Sequence, residues 1–208
     1  MALISALITE LRVDLADESS TRWTDASLLS MFKIAIRRAN RIVQRNGIQF
    51  AKKHSTFTTV ANQTYVVLST SITDFDVLIT MARSDTHQQI RICDDREWET
   101  IETADALAVA YIDYAGDKIH FYDKDSAAIT INVHYYPTVD PSAYTTASST
   151  PWSGRLDDVL MEYVGFRMKN IDEMDVSIDQ QLMQDMEQQI LQAYAPNAAT
   201  INDTRGWL

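Results

Sequence analysis

The residues in this chain best placed to do chemistry are acids. Asp157, Asp158 and Glu162, with Glu173 and Asp175 beyond them, bring several carboxylates close together in sequence. Glycoside hydrolysis needs two such groups about 5 to 9 Å apart, one to protonate the leaving oxygen and one to attack or to activate water. On a helix, Asp158 and Glu162 stand one turn apart and meet that description. The plainer reading is a solvated helix face whose first turn, just after Gly154, carries two acids where the helix dipole favours negative charge. No catalytic residue is assigned, and hydrolysis stands only as an alternative. His54, His87, His120 and His134 are scattered. His120 and His134 share a sheet face with a carboxylate if both lie in strands, but two such imidazoles read as polar surface before they read as metal ligands. Cys93 is the single cysteine, which excludes an internal disulfide and a zinc or redox pair. Five glycines leave little material for a phosphate loop or a nucleophile elbow. The expectation is no metal, no cofactor and no enzyme.

The cations are more regularly placed. Lys33, Arg37, Arg41 and Arg45 recur every four residues, with Arg38 alongside. Such a stripe fits three readings: a solvated helix face, a phosphate-binding surface, or a docking face for an acidic neighbour. The chain supplies such a neighbour itself in Asp158, Glu162 and the acids of residues 172–187. In a ring of identical subunits, one copy's basic face would meet the next copy's acidic face, a heterologous contact that closes if the rotation allows. Net charge is −11, and it is uneven: residues 1–60 carry nine Lys or Arg against five Asp or Glu, and the remainder nine against 24. An acidic body repels a phosphate backbone, so DNA binding by the stripe ranks below the protein contact. At the other end, the small polar residues 195–206 lead to Trp207-Leu208, an apolar pair costly to leave in water. Such a tip either folds back on its own helices or, as a strap, anchors in a partner, since Trp is enriched among interface hot spots.

The elements that must carry these residues are legible from periodicity. Leu3, Ile4, Leu7, Ile8, Leu11 and Leu15 mark one face of a helix. The polar run Asp17–Arg22 ends it. A second helix is capped by Thr24, with Asp25 in its first turn and Trp23 positioned to staple onto Leu28. Its buried face is predicted as Leu28, Leu29, Phe32, Ala35, Ile36, Ala39, Ile42 and Val43, with Asn46-Gly47 as terminator. Short β-prone runs follow at 57–60, 65–68, 77–81 and 90–93, with an ambiguous segment at 97–107. Tyr111–Ala115 and Lys118–Tyr122 flank Gly116-Asp117 and predict a two-residue type II′ hairpin. Pairing Ala115 with Lys118 sets Ile112 opposite Phe121 and Tyr114 opposite Ile119. Residues 128–136 continue it as a third strand. Residues 137–153 read as loop, and helical period returns in Leu156, Val159, Leu160, Tyr163 and Val164 and in Ile178, Leu182, Met186, Ile190 and Tyr194. The expected fold is α+β: a helical bundle from both chain ends (1–53 and 154–195), an inserted antiparallel β-rich subdomain (54–153) and an extended C-terminal tail (196–208). A hydrophobic share of 46% predicts a real core. The chain shows neither a bilayer-long apolar run nor the flanks of a secretory signal, so no membrane partner and a soluble, cytoplasmically made protein are expected.

The run Leu11-Arg12, Leu15, Asp17, Trp23-Thr24-Asp25 and Leu28 resembles the opening of the head-to-tail adaptor (connector) proteins of tailed bacteriophages. Ile119–Tyr122 with Ile131–Pro137 is similar to that family's β-hairpin region, and Pro151-Trp152 leading to Asp157–Tyr163 to the start of its third helix. The resemblance implies a structural virion protein of the short-tailed phage type, made in the host cytoplasm and built into the portal vertex. It implies a homo-oligomeric, twelve-fold ring on the portal protein, a C-terminal strap that grips the portal, and a docking surface for a tail or nozzle protein. In that frame Arg205, Trp207 and Leu208 are the portal-binding residues. Lys33, Arg37, Arg41, Arg45, Asp158 and Glu162 line the subunit interface, and packaged DNA passes nearby without specific contacts. A virion-associated cell-wall hydrolase and a DNA-binding module remain the alternatives.

Overall fold

The computed structural model describes residues 2–102, 104, 105, 107–170 and 176–194. In chain order its elements are α1 (Ile4–Asp14), α2 (Asp25–Arg45), β1 (Lys53–Thr58), β2 (Tyr65–Val67), α3 (Leu68–Ser71), β3 (Phe75–Arg83), β4 (Gln89–Cys93), α4 (Asp95–Thr100), β5 (Val109–Asp113), β6 (Lys118–Phe121), β7 (Thr130–Pro137), α5 (Asp157–Lys169) and α6 (Val176–Tyr194). They fall into two compact units, one from Met1–Ala51 with Val139–Leu208 and one from Lys52–Thr138.

In the first unit α2 is the central helix, touching α1, α5 and α6. Its buried residues are the predicted set except Leu29, which is half-buried. Thr24 caps it by accepting the Ser27 N–H at 3.1 Å. Gly47 ends it in the left-handed region at φ 67°, a conformation strained for a residue with a side chain even though the space around it is open. α1 has no side-chain cap. Its first N–H groups are instead satisfied by the 146–148 loop, with Ile4 donating to the Ser148 carbonyl at 2.9 Å and Ser5 to that of Thr146 at 2.8 Å. Where α1 meets α5, Gly165 permits close approach: a Cβ there would lie 3.2 Å from Leu11 Cδ1.

The corner between α1 and α2 is fixed by charge. Arg12 and Asp17 are both buried and pair at 3.0 Å, and the other arm of Arg12 reaches Asp25 at 2.6 Å. Asp17 also accepts the backbone N–H groups of Thr21, Arg22 and Trp23 at 3.0, 3.0 and 2.9 Å. These bonds, the one from Arg22 foremost, hold its carboxyl below the usual carboxylate range. The segment that reads as a simple polar break is thus an exposed turn held by one buried ion pair.

The second unit corrects the expected fold. The β-rich segment is not an antiparallel insertion into a bundle of helices from the chain ends. It is one curled, mixed sheet of seven strands in the order β1-β7-β3-β4-β5-β6-β2, and two of the six described α-helices, α3 and α4, belong to it. β4 and β5 run parallel because residues 94–108, with α4 inside them, form the crossover that a parallel pair requires. Curling gathers one core from all seven strands: Phe57, Val66, Met81, Ile90, Ala110, Ile112, Ile119, Phe121, Ile131, Val133 and Tyr135.

Two local expectations also change. The β5–β6 register pairs Asp113 with Lys118 and Ile112 with Ile119, two residues away from the predicted pairing. The turn spans four residues because Asp113 Oδ1 accepts the Gly116 N–H at 2.8 Å, while Asp117 takes the positive φ of 55°. A two-residue slip keeps every side chain on its predicted face, so the hydrophobic pattern could not detect it. β7 does not extend the hairpin: it lies between β1 and β3. Among the described residues no helix is long and apolar enough to cross a membrane.

Candidate functional site

The basic stripe lies on α2, but it does not form one surface. A four-residue step overshoots a helical turn by about 40°, so Lys33 and Arg45 lie on different sides of the helix. Lys33 Nζ donates to the Ser142 carbonyl at 3.0 Å, and Arg45 pairs with Glu187 of α6. That pairing, with help from Asn46, holds the Glu187 carboxyl below its usual range. Arg37 and Arg41, between them, are exposed. Asp140 is an acid that feels the charge of this stretch. The hydroxyl of Ser142 is the main cause of its lowered pKa, and the charges of Arg37 and Lys33 add to the effect.

Arg38, which the spacing sets beside the stripe, turns inward. Both terminal nitrogens of its guanidinium bond the two carboxylate oxygens of Asp179 at 2.7 Å, and the Tyr163 hydroxyl and Arg167 complete the cluster. The fork from Arg38 is the first cause of the lowered pKa of Asp179, and burial pushes the Tyr163 phenol up. This junction of α2, α5 and α6 is the most developed charged arrangement of the unit, and sequence reasoning missed it. The available signal was that Arg38 stands three after Ala35 and four before Ile42, on the buried side of the helix.

Asp158 and Glu162 are both exposed on α5. Glu162 accepts a hydrogen bond from Gln189 at 2.7 Å. The two acids flank a groove of about 390 Å³ between α1 and α5 that also holds Leu11, Met161 and Phe166. Phe166 is 46% exposed, so this acidic face has an apolar centre. The carboxyl with a raised pKa is the neighbouring Asp157, pushed up by burial. It lies against Gly154, away from the groove that Asp158 and Glu162 flank.

The histidines are not brought together as the sequence suggested. His134 faces His54 across β1–β7 with ring centroids 4.9 Å apart, while His120 lies between Tyr65 and Tyr111 on β6. Among the described residues no group of three or more His, Cys, Asp or Glu could hold a metal ion. Arg205, Trp207 and Leu208 lie outside the described residues.

What the described surface offers is separate basic and acidic patches with an apolar groove, a surface for contacts with other proteins. No curated protein matches the chain. A family model does: that of the SU10 adaptor protein matches residues 3–206. It takes in the Arg12–Asp17–Asp25 corner, the curled sheet and the α2–α5–α6 junction together, and on that match the chain belongs to the SU10 adaptor protein family, as a phage head-to-tail adaptor.

Proposed function

We propose that copies of this chain form a ring on the portal, extend the channel through which DNA leaves the head, and give the next tail component its docking surface. The observation that carries this reading is the family match over residues 3–206. The surface supports it. Arg37 and Arg41 on α2 and Asp158 and Glu162 on α5 are left exposed, so the basic patch of one copy has an acidic patch to meet on the next. Lys33 and Arg45, engaged within the chain, lie at the margin of that contact. Such a heterologous contact closes into a ring when the rotation per copy divides the circle, and twelve copies is the expected number. Arg205, Trp207 and Leu208 form the portal grip, with the indole as anchor and Arg205 paired to an acid of the portal. A net charge of −11 lets DNA pass with little adhesion.

A charge-swap experiment tests the ring contact. Arg37→Glu/Arg41→Glu sets acid against acid, and Asp158→Lys/Glu162→Lys sets base against base, so neither variant should assemble on the portal alone. Mixed in equal amounts they should alternate around an even-numbered ring, because every contact is then complementary. Native mass measurement reads the result. Wild-type assembly by either variant alone, or failure of the mixture, would overturn this pairing. Removing residues 197–208 should abolish portal attachment and leave the circular dichroism spectrum of the chain unchanged.

A further inference from the structure

The seven-stranded sheet has a fork in it. β3 and β4 pair only at Met81 with Ile90 and Ala82 with Gln89. Beyond that point Arg91–Cys93 pair with β5, and the earlier residues of β3 pair only with β7. The burial of β4 records the parting: Ile90 and Cys93 are both buried although three residues apart, so alternation breaks and Ile92 turns outward at 37% exposure. Between the parted strands lies a cleft of about 530 Å³. Leu78, Ile79, Ile92 and Tyr114 give it an apolar lining, and Tyr114 is 61% exposed.

We infer that this fork is a docking site for an extended, cationic segment of a partner protein, added as a strand along β3 or β4. Two facing strand edges that have left each other offer main-chain donors and acceptors, the means by which an extended peptide is held, while alternate side chains of the peptide enter apolar pockets. The charge selects the occupant. Asp94, Asp95 and Asp113 all line the cleft. Asp94 gives an oxygen to the Glu97 N–H, Asp113 gives one to the Gly116 N–H, and Asp95 meets the Tyr111 hydroxyl. None of the three forms an ion pair among the described residues. An acidic segment would be repelled there, whereas one that alternates Lys or Arg with apolar residues satisfies rim and lining together. The site lies within the β-rich unit and does not depend on the ring contact proposed above.

The test uses the full chain and a short, end-capped, fluorescent peptide alternating lysine and valine, read by anisotropy. Two control peptides accompany it: one with glutamate in place of lysine, and one of unchanged sequence whose alternate backbone amides are N-methylated. The lysine peptide should bind and slow hydrogen exchange at Leu78–Thr80 or Arg91–Cys93. The glutamate peptide should not bind. N-methylation, and separately Asp95→Asn/Asp113→Asn in the protein, should each weaken binding roughly tenfold or more. Equal binding of the N-methylated peptide, or no change in the double variant, would reduce the effect to attraction by net charge and overturn the proposal. Self-association of the free chain with protection at the same amides would assign the fork to a second copy and overturn it equally.

Discussion

Two adjacent arginines do unlike work. Arg37 faces solvent, while Arg38 spends its planar fork on Asp179 and joins three helices. Hydrogen bonds to charged groups contribute about 1.5–3 kcal/mol, so Arg38→Ala should lower unfolding free energy by about 2 kcal/mol. Arg38→Lys should recover only part of the loss, since an ammonium cannot make the paired contact; urea denaturation of the three proteins checks both. Asp17 and Asp179 carry a pH signature. Both have folded pKa values below the ordinary carboxylate value, so their stabilisation is complete above that value and is lost as pH falls through the folded one. Thermal melts should therefore show stability falling on acidification below about pH 4, with a shallower slope in Asp17→Asn. Arg38 and Asp179 were each visible in the sequence, but their meeting was not, because α2 and α6 are far apart along the chain.

At the scale of elements, helices were more legible than strands, for a physical reason. The Leu28–Val43 face of α2 repeats along one helix and its ends are local: the Thr24 cap and the positive φ of Gly47. Gly47→Ala should destabilise by about 1 kcal/mol, the cost of forcing a Cβ into the left-handed region, measurable as a shift in denaturation midpoint with unchanged slope. A strand's partner is not encoded locally. Thr130–Pro137 alternates inward and outward in any sheet, and nothing in that alternation says it lies between β1 and β3. The hairpin pairing erred by two residues because side-chain direction repeats every two, and the Asp113 side chain, not the apolar pattern, sets the turn.

At the scale of the molecule, the expected helical bundle with an antiparallel insertion gave way to a curled mixed sheet, because one crossover through α4 makes one strand pair parallel. The fork between β3 and β4 follows from that strand order and from no short stretch of sequence. The charged patches were legible as composition, but which cations remain free was not: the rotation of α2 turns Lys33 and Arg45 to partners within the chain and leaves Arg37 and Arg41 outside. A contact centred on exposed charges weakens as salt screens it, so ring assembly should be strongest at low ionic strength. The most direct test of the adaptor account is the native mass of the chain alone and after mixing with the portal protein of the same genome, across a range of salt. A defined multi-copy complex, near twelve chains per portal and weakening with salt, is the predicted result. No association at any salt concentration would contradict the account.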